Sequence, residues 1–461
     1  MSTQVSADRG VSDRTIVIGL VALVLVLAIP YAVMGPKFIL DDWFTVYWRS
    51  TRGLLRTSDQ LRSRPGAWLT FVLEFGLIGR HPLAIYLVKV ALTAVTAVLI
   101  FYVARRLVTA PIAGGIAAMW VVLPNHSALE HWASTMGIQV SLILLLAGAL
   151  LLLRAADAGR APVAAVACFV ASALCYEATL AASVLALVVL PRLRGRRTPI
   201  RTLALELAPL FAAAAWMYAH SQHEKTGWFS FGLVFPAHFG WALTPSRWMG
   251  QALGIGAAVL VVLALAAPLS PTLRSRDRTG PRLVLAGVVL IVVGTLPFAR
   301  YGIDPVALGD RANVVSSLGS ATAWVGVILF IWDRRAIAIA VLAVLVALCL
   351  AEHVQRDHDY ALAGRDAAHI LTAVGQQFPE TPKGVVVVGP RPIYHHGVIG
   401  LIGPVNQAAR AYLHRRDLSV YVAQKPREFS GTPPELRVDV HSLAQHADAA
   451  AAAPPVTIAR P

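Results

Sequence analysis

Apolar residues run along this chain in blocks of roughly 15 to 25, the length an α-helix needs to cross a hydrocarbon layer about 30 Å thick. About eleven such blocks stand near 15–34, 83–103, 110–123, 137–153, 161–176, 178–191, 203–220, 249–269, 282–298, 318–332 and 336–351. They predict an all-α polytopic membrane protein. The first block follows Arg9 and Arg14, is longer than a signal-peptide core and ends without an A-x-A cleavage pattern, so it reads as an uncleaved anchor. After Leu350 the pattern changes. "EHVQRDHDYALAGRDAAHILTAVGQQFP" has helical spacing, "GVVVVGP" predicts a buried strand, "VNQAARAYLHRR" a helix and "LSVYVA" a second strand. The expected organisation is a membrane domain over 1–351, a small external α/β appendage over 352–430 and a disordered Pro- and Ala-rich tail over 431–461.

Composition supports the membrane class: 57% of residues are hydrophobic, only 14% are charged, and the mean hydropathy is +0.63. The net charge of +15 does not point to nucleic acid, because Lys and Arg fall in short clusters between apolar blocks. Anionic lipid is the matching partner. Cys168, Cys175 and Cys349 all lie inside apolar runs, which excludes a disulfide framework and a zinc cage.

The clusters also set an orientation. With a cytoplasmic N-terminus, the inner connections carry Arg105 and Arg106, then Arg154 and Arg160, then "RLRGRRTPIR", "RSRDRTGPR", and Arg334 with Arg335. The long first external loop, 35–80, is basic too, and its cations invite a ligand. Under this topology Asp41 and Asp42, "LPNHSALEHW", Glu177, "HSQHEKTGW" and "ARYGIDPVALGDRAN" all gather at the external ends of spans. Ionisable groups at membrane depth are costly, and their convergence on one face marks a candidate site. Glu177 stands between two apolar blocks with almost no loop, which predicts a turn lining a polar cavity.

No G-x-x-x-x-G-K-[ST] and no well-placed G-x-G-x-x-G occurs, so nucleotide-driven chemistry has no motif. A transfer at the external surface would then draw on a donor carried in the membrane, such as a polyprenyl-phosphate sugar. It needs a carboxylate as base and cations to hold the leaving phosphate.

Several short motifs, in this order, resemble the GT-C glycosyltransferases, especially bacterial relatives of the tetratricopeptide-bearing and protein O-mannosyltransferases. They are the acidic pair Asp41–Asp42, "RPGAWLTFVLEFGLIG" from Arg64, "GRHP" at Gly79–Pro82, Pro124-x-His126 with Trp132, "YE" at Tyr176–Glu177, and Asp310–Arg311 with Ser317 and Gly319. The resemblance spans about 320 residues. It departs where Ala128, Lys89, Thr93 and Tyr176 replace the usual carboxylate, Asn, His and Lys, and no tetratricopeptide repeats follow.

The resemblance implies an integral-membrane, inverting glycosyltransferase that moves a sugar from polyprenyl phosphate to an external glycan, lipid or protein acceptor. Asp41 is expected as the general base, with Asp42 beside it. Arg311, Arg64, Lys89 and His126 are expected to hold the donor phosphate, and Glu177, Glu130 and Asp310 to bind substrate. No metal-ligand set is assigned, since H-x-x-x-E at His126 lacks zinc spacing, and a divalent ion bridging Asp41 and the donor is left open. The alternatives are a ligase for larger lipid-linked glycans and a transporter or flippase for a lipid-linked substrate. Transport would place charged sites near the midplane of two repeats, and no internal repeat is evident.

Overall fold

The computed structural model describes residues 12–52, 63–196, 198–220, 242–243, 279–298, 307–332 and 334–377, and short pieces beyond, at 385–388, 394–395, 398–399, 408, 420–423, 437–439 and 458–459. The expected span at 249–269 and the external segment 221–241 lie outside the described residues.

Thirteen α-helices are described: α1 Asp13–Met34, α2 Asp41–Arg52, α3 Pro65–Leu73, α4 Pro82–Arg105, α5 Ala110–Val122, α6 Ser127–His131, α7 Met136–Ala158, α8 Val163–Cys175, α9 Thr179–Leu193, α10 Ile200–His220, α11 Thr279–Thr295, α12 Ser316–Phe330 and α13 Arg335–Gln377. Six of the helical segments are long and apolar enough to cross a membrane; shorter apolar helices, α5, α8, α9 and α12 among them, pack between them.

Local chemistry sets the helix ends. Ser12 caps α1 by accepting from the Thr15 N–H at 3.2 Å, and Gly35 closes it at φ 79°, a left-handed conformation that a side chain resists. Pro82 opens α4 where no helical N–H bond is needed. The outer faces stay apolar: Leu25, Val26, Ile29 and Val33 of α1 are exposed, as lipid contact requires.

Close packing uses glycine. On α11, Gly280 and Gly287 face Gly326 and Gly319 of α12, and Gly294, a further seven residues on, faces Ser316. A Cβ at Gly287 would stand 2.5 Å from the Gly319 carbonyl oxygen, so the two backbones touch, as small residues allow inside a bilayer. The turn between α8 and α9 is satisfied by hydroxyls: Ser141 Oγ donates to the Ser172 carbonyl at 2.8 Å, Ser172 Oγ to the Ser141 carbonyl at 2.7 Å, and Thr179 Oγ1 to the Tyr176 carbonyl at 2.9 Å.

Helix α13 runs without a break across residue 352, where a domain boundary was expected, so the last span and the polar stretch after it form one rod. Beyond it lie β1 Val385–Val388, β2 Tyr394–His395, β3 Val398–Ile399, β4 Val420–Ala423, β5 Arg437–Asp439 and β6 Ile458–Ala459. One sheet has the order β4-β1-β5-β6, parallel between β1 and both neighbours and antiparallel between β5 and β6. Strands β5 and β6 fall in the segment expected to be disordered: a few extended residues can pair with a formed strand even in a Pro- and Ala-rich context. The β2–β3 hairpin packs on α13 and reaches the 3-10 turn Ala307–Asn313.

Candidate functional site

The loop 123–135 between α5 and α7 is the centre of the polar region, and it is held from four sides. Asp310, 2% exposed, caps the start of α6: its Oδ2 accepts from Ser127 N at 2.8 Å and Ser127 Oγ at 2.6 Å, and its Oδ1 from Ala128 N at 2.9 Å. Asp42, 1% exposed, holds the other end, with Oδ1 accepting from Ser134 N at 2.7 Å and Ser134 Oγ at 2.6 Å. Its Oδ2 accepts from Ile39 N at 3.1 Å, which ties the start of α2 to the same point. Lys89 reaches up from α4, fully buried, and its Nζ donates to the Trp132 carbonyl at 2.7 Å and to Thr135 Oγ1 at 2.8 Å. Behind the loop, Asp357 of α13 accepts from His131 Nε2 at 2.6 Å.

These bonds divide the expected site residues into two groups. Asp42, Asp310 and Lys89 are engaged within the protein. Burial pushes the Asp42 and Asp310 carboxyls up to about 6 each, against the pull of the donors that hold them.

His126 belongs with them. Asn125 Nδ2 donates to the Ala242 carbonyl at 2.7 Å, so Asn125 Oδ1 faces His126 Nδ1 at 3.0 Å and accepts its proton. The ring stacks on Trp120 at 4.5 Å, and burial pulls its pKa down to about 3. A neutral imidazole with a bare Nε2 is a poor phosphate ligand. Glu130 Oε1 lies 4.0 Å from that Nε2, and burial raises the Glu130 carboxyl to about 7.

Asp41 and Arg311 form the other group. Asp41 is exposed at the first residue of α2; its backbone carbonyl accepts from Thr45 Oγ1 at 3.2 Å, and among the described residues its carboxylate has no hydrogen-bond donor. Its surroundings raise its carboxyl from the ordinary value, and Arg311 pulls the other way. The Arg311 guanidinium lies over the Trp132 ring, 4.8 Å from its centre, and is half-buried; its charge is felt at the Asp41 carboxyl. A flat aromatic face under a guanidinium fixes its plane while leaving its N–H edge outward. A candidate base and a candidate anion holder thus lie within electrostatic reach of each other.

Arg64, at the start of α3, pairs with Glu177 in the α8–α9 turn and lies 5.2 Å over the Tyr176 ring. Each is about two-fifths exposed, 40% and 36% by side chain, so this pair edges the site without being sealed in it. Among the described residues no three His, Cys, Asp or Glu side chains converge as a metal would need.

Several participants carry no sequence signal of their own kind. Ser134 and Ser127 are common residues whose role depends on what folds against them, and Trp132, though part of the Pro124-x-His126 motif, gave no sign that it would lie under Arg311. Asp357 and Tyr360 sit in the stretch read as part of an external appendage. Glu74, fully buried in the π-helical turn Glu74–Ile78 with neither oxygen bonded, could have been found as a lone carboxylate in an apolar run.

No family model and no curated protein matches the chain. Solved structures do. The chain is similar to the Archaeoglobus fulgidus oligosaccharyltransferase, solved as a complex with Zn and sulfate, at 11% identity and a TM-score of 0.42, over 87% of this chain and 62% of that one. It is also similar to ArnT from Cupriavidus metallidurans in the apo state, at 15% identity and a TM-score of 0.33, over 86% of this chain and 84% of that one. The chain thus spans under two thirds of the archaeal enzyme's length. These likenesses are distant.

Proposed function

We propose that this chain is a multi-pass membrane glycosyltransferase of the GT-C type, with its active face external and its N-terminus cytoplasmic. It transfers a sugar from a polyprenyl-phosphate donor to an external glycan, lipid or protein. One observation carries the reading: among the described residues Asp41 is the member of the acidic pair whose carboxylate makes no hydrogen bond, and it lies within electrostatic reach of the half-buried Arg311 set on Trp132. Asp41 takes the proton of an acceptor hydroxyl as its oxygen attacks the anomeric carbon. The bond from that carbon to the phosphate oxygen breaks, polyprenyl phosphate departs with the electron pair, and direct displacement inverts the centre. Arg311 meets the charge that grows on the leaving phosphate.

The other expected residues take supporting parts in this reading. Asp42, Asp310 and Lys89 shape the loop that carries Trp132, His126 is a neutral acceptor on that loop, and Arg64 with Glu177 lines its edge. The test is transfer from purified polyprenyl-phosphate sugars in nanodiscs. Wild-type transfer that is lost in Asp41→Asn supports the reading, and full transfer by Asp41→Asn removes the base. Transbilayer movement of labelled lipid by a wild type that transfers nothing would favour a flippase.

A further inference from the structure

Helix α13 turns polar where it meets the site loop, and His131 is the point of contact. Its Nδ1 lies 2.8 Å from the Ser127 carbonyl, which can only accept, and its Nε2 lies 2.6 Å from Asp357 Oδ1. Both ring nitrogens therefore serve as donors, and the ring is an imidazolium. Burial opposes that charge, but the bond and charge of Asp357, helped by Glu130, outweigh it and raise the pKa.

Aromatic faces enclose the cation. Tyr360 stacks on it at 4.7 Å and 17°, Tyr31 of α1 meets it edge-on at 4.6 Å, and Tyr86 of α4 stands at 6.3 Å. The stacked Tyr360 face and the Tyr31 and Tyr86 rings packed around it leave the paired cation one orientation. The residue after His131 is Trp132, the platform under Arg311, and its carbonyl is held by Lys89. The angle at which that platform is offered depends on where His131 is pinned.

We propose that His131 and Asp357 are positioning residues: their ion pair latches the site loop to α13, holds the Trp132 face in register under Arg311, and so sets the affinity of Arg311 for a lipid-linked phosphate. The last step rests on the donor site described above. The latch itself does not. It also makes the segment after the last span part of the site's support.

The test uses the full chain in nanodiscs with Asp357→Asn, which keeps shape and removes charge, alongside Asp357→Glu, Arg311→Ala and the Asp357→Asn/Arg311→Ala double variant. Hydrogen exchange is followed at 124–135 and, as a control, at 163–175. Affinity is measured for polyprenyl phosphate. In Asp357→Asn, exchange rises at 124–135 alone and affinity falls about tenfold, since a small misplacement of a binding group has an effect of that order. Asp357→Glu recovers part of it. In the Arg311→Ala background, Asp357→Asn lowers affinity no further, because it acts through that guanidinium.

Unchanged exchange at 124–135, or losses that add in full in the double variant, overturns the latch. A wild type that binds no polyprenyl phosphate, with exchange still raised in Asp357→Asn, overturns the donor-site reading and supports the latch.

Discussion

Asp41 and Asp42 are neighbours of the same chemistry, and replacing each with Asn should damage the protein in different ways. Asp42→Asn keeps the size and one oxygen but turns the other into an NH2. If that oxygen keeps the two Ser134 bonds, the new amine faces the Ile39 N–H, donor against donor, at the place of a 3.1 Å bond. A buried N–H is then orphaned, at a cost of about 1–3 kcal/mol. Removal of the buried charge, whose pKa is raised to about 6, offsets part of this. The net expectation is a loss of about 1–2 kcal/mol, seen as a drop of a few degrees in unfolding temperature in detergent. Asp41→Asn touches no side-chain hydrogen bond among the described residues, so the unfolding temperature should stay within a degree or so of wild type, about the range of surface substitutions. Its effect should fall on transfer, by roughly 10² to 10⁴, with polyprenyl-phosphate affinity preserved. Melting curves, donor binding and transfer are measured on the same preparations. The division of roles is refuted if Asp41→Asn melts as early as Asp42→Asn, or if Asp42→Asn is as stable as wild type yet equally inactive.

Arg311→Ala removes the guanidinium over Trp132 and should weaken polyprenyl-phosphate binding at least tenfold, the scale of a partly desolvated cation–anion contact, whereas Arg334→Ala on the opposite face should leave it unchanged. Gly287→Leu should prevent α11 from seating on α12, seen as loss of folded protein by size-exclusion in detergent, while substitution at Gly19, which has open space around it, should be tolerated. The pH dependence has a definite sign: the Asp42 and Asp310 carboxyls, near 6, and Glu130, near 7, are all raised above their unfolded values. Their stability contribution is full below the unfolded pKa values and is lost as pH rises through the raised ones, so the unfolding temperature should fall from about pH 4 to about pH 7. Glu130→Gln should flatten the upper part of that fall, between about pH 6 and 7, where Asp42 and Asp310 have already lost their protons.

How far the sequence reaches depends on the range of the physics. Ten of the expected spans coincide with described helices because hydrophobic length and helix caps are local properties: Pro82, Gly35 and the run of α1 act on their own neighbours. The acidic pair was legible as a place where charge is costly, and so was Arg311. Asp41 was the member expected as base; that Asp42, Asp310, Lys89 and His126 would be bonded within the protein was not legible. Asp310 meets Ser127 across 183 residues, Asp42 meets Ser134 across 92, and His131 meets Asp357 across 226, and no period or motif links such partners. A carboxylate in a string of letters is the same whether it will accept three hydrogen bonds or none. The continuous run of α13 past residue 352 was hidden for a related reason: a polar helical stretch reads as solvent-facing until a partner buries it. By itself the sequence determined that this is a membrane protein of apolar helices with ionisable groups gathered at one end, because transfer from water to hydrocarbon is paid residue by residue. The tertiary structure alone decided that Asp42, Asp310, Lys89 and His131 hold the loop and that Asp41 and Arg311 remain available, because hydrogen bonds between distant residues exist only once the helices have packed.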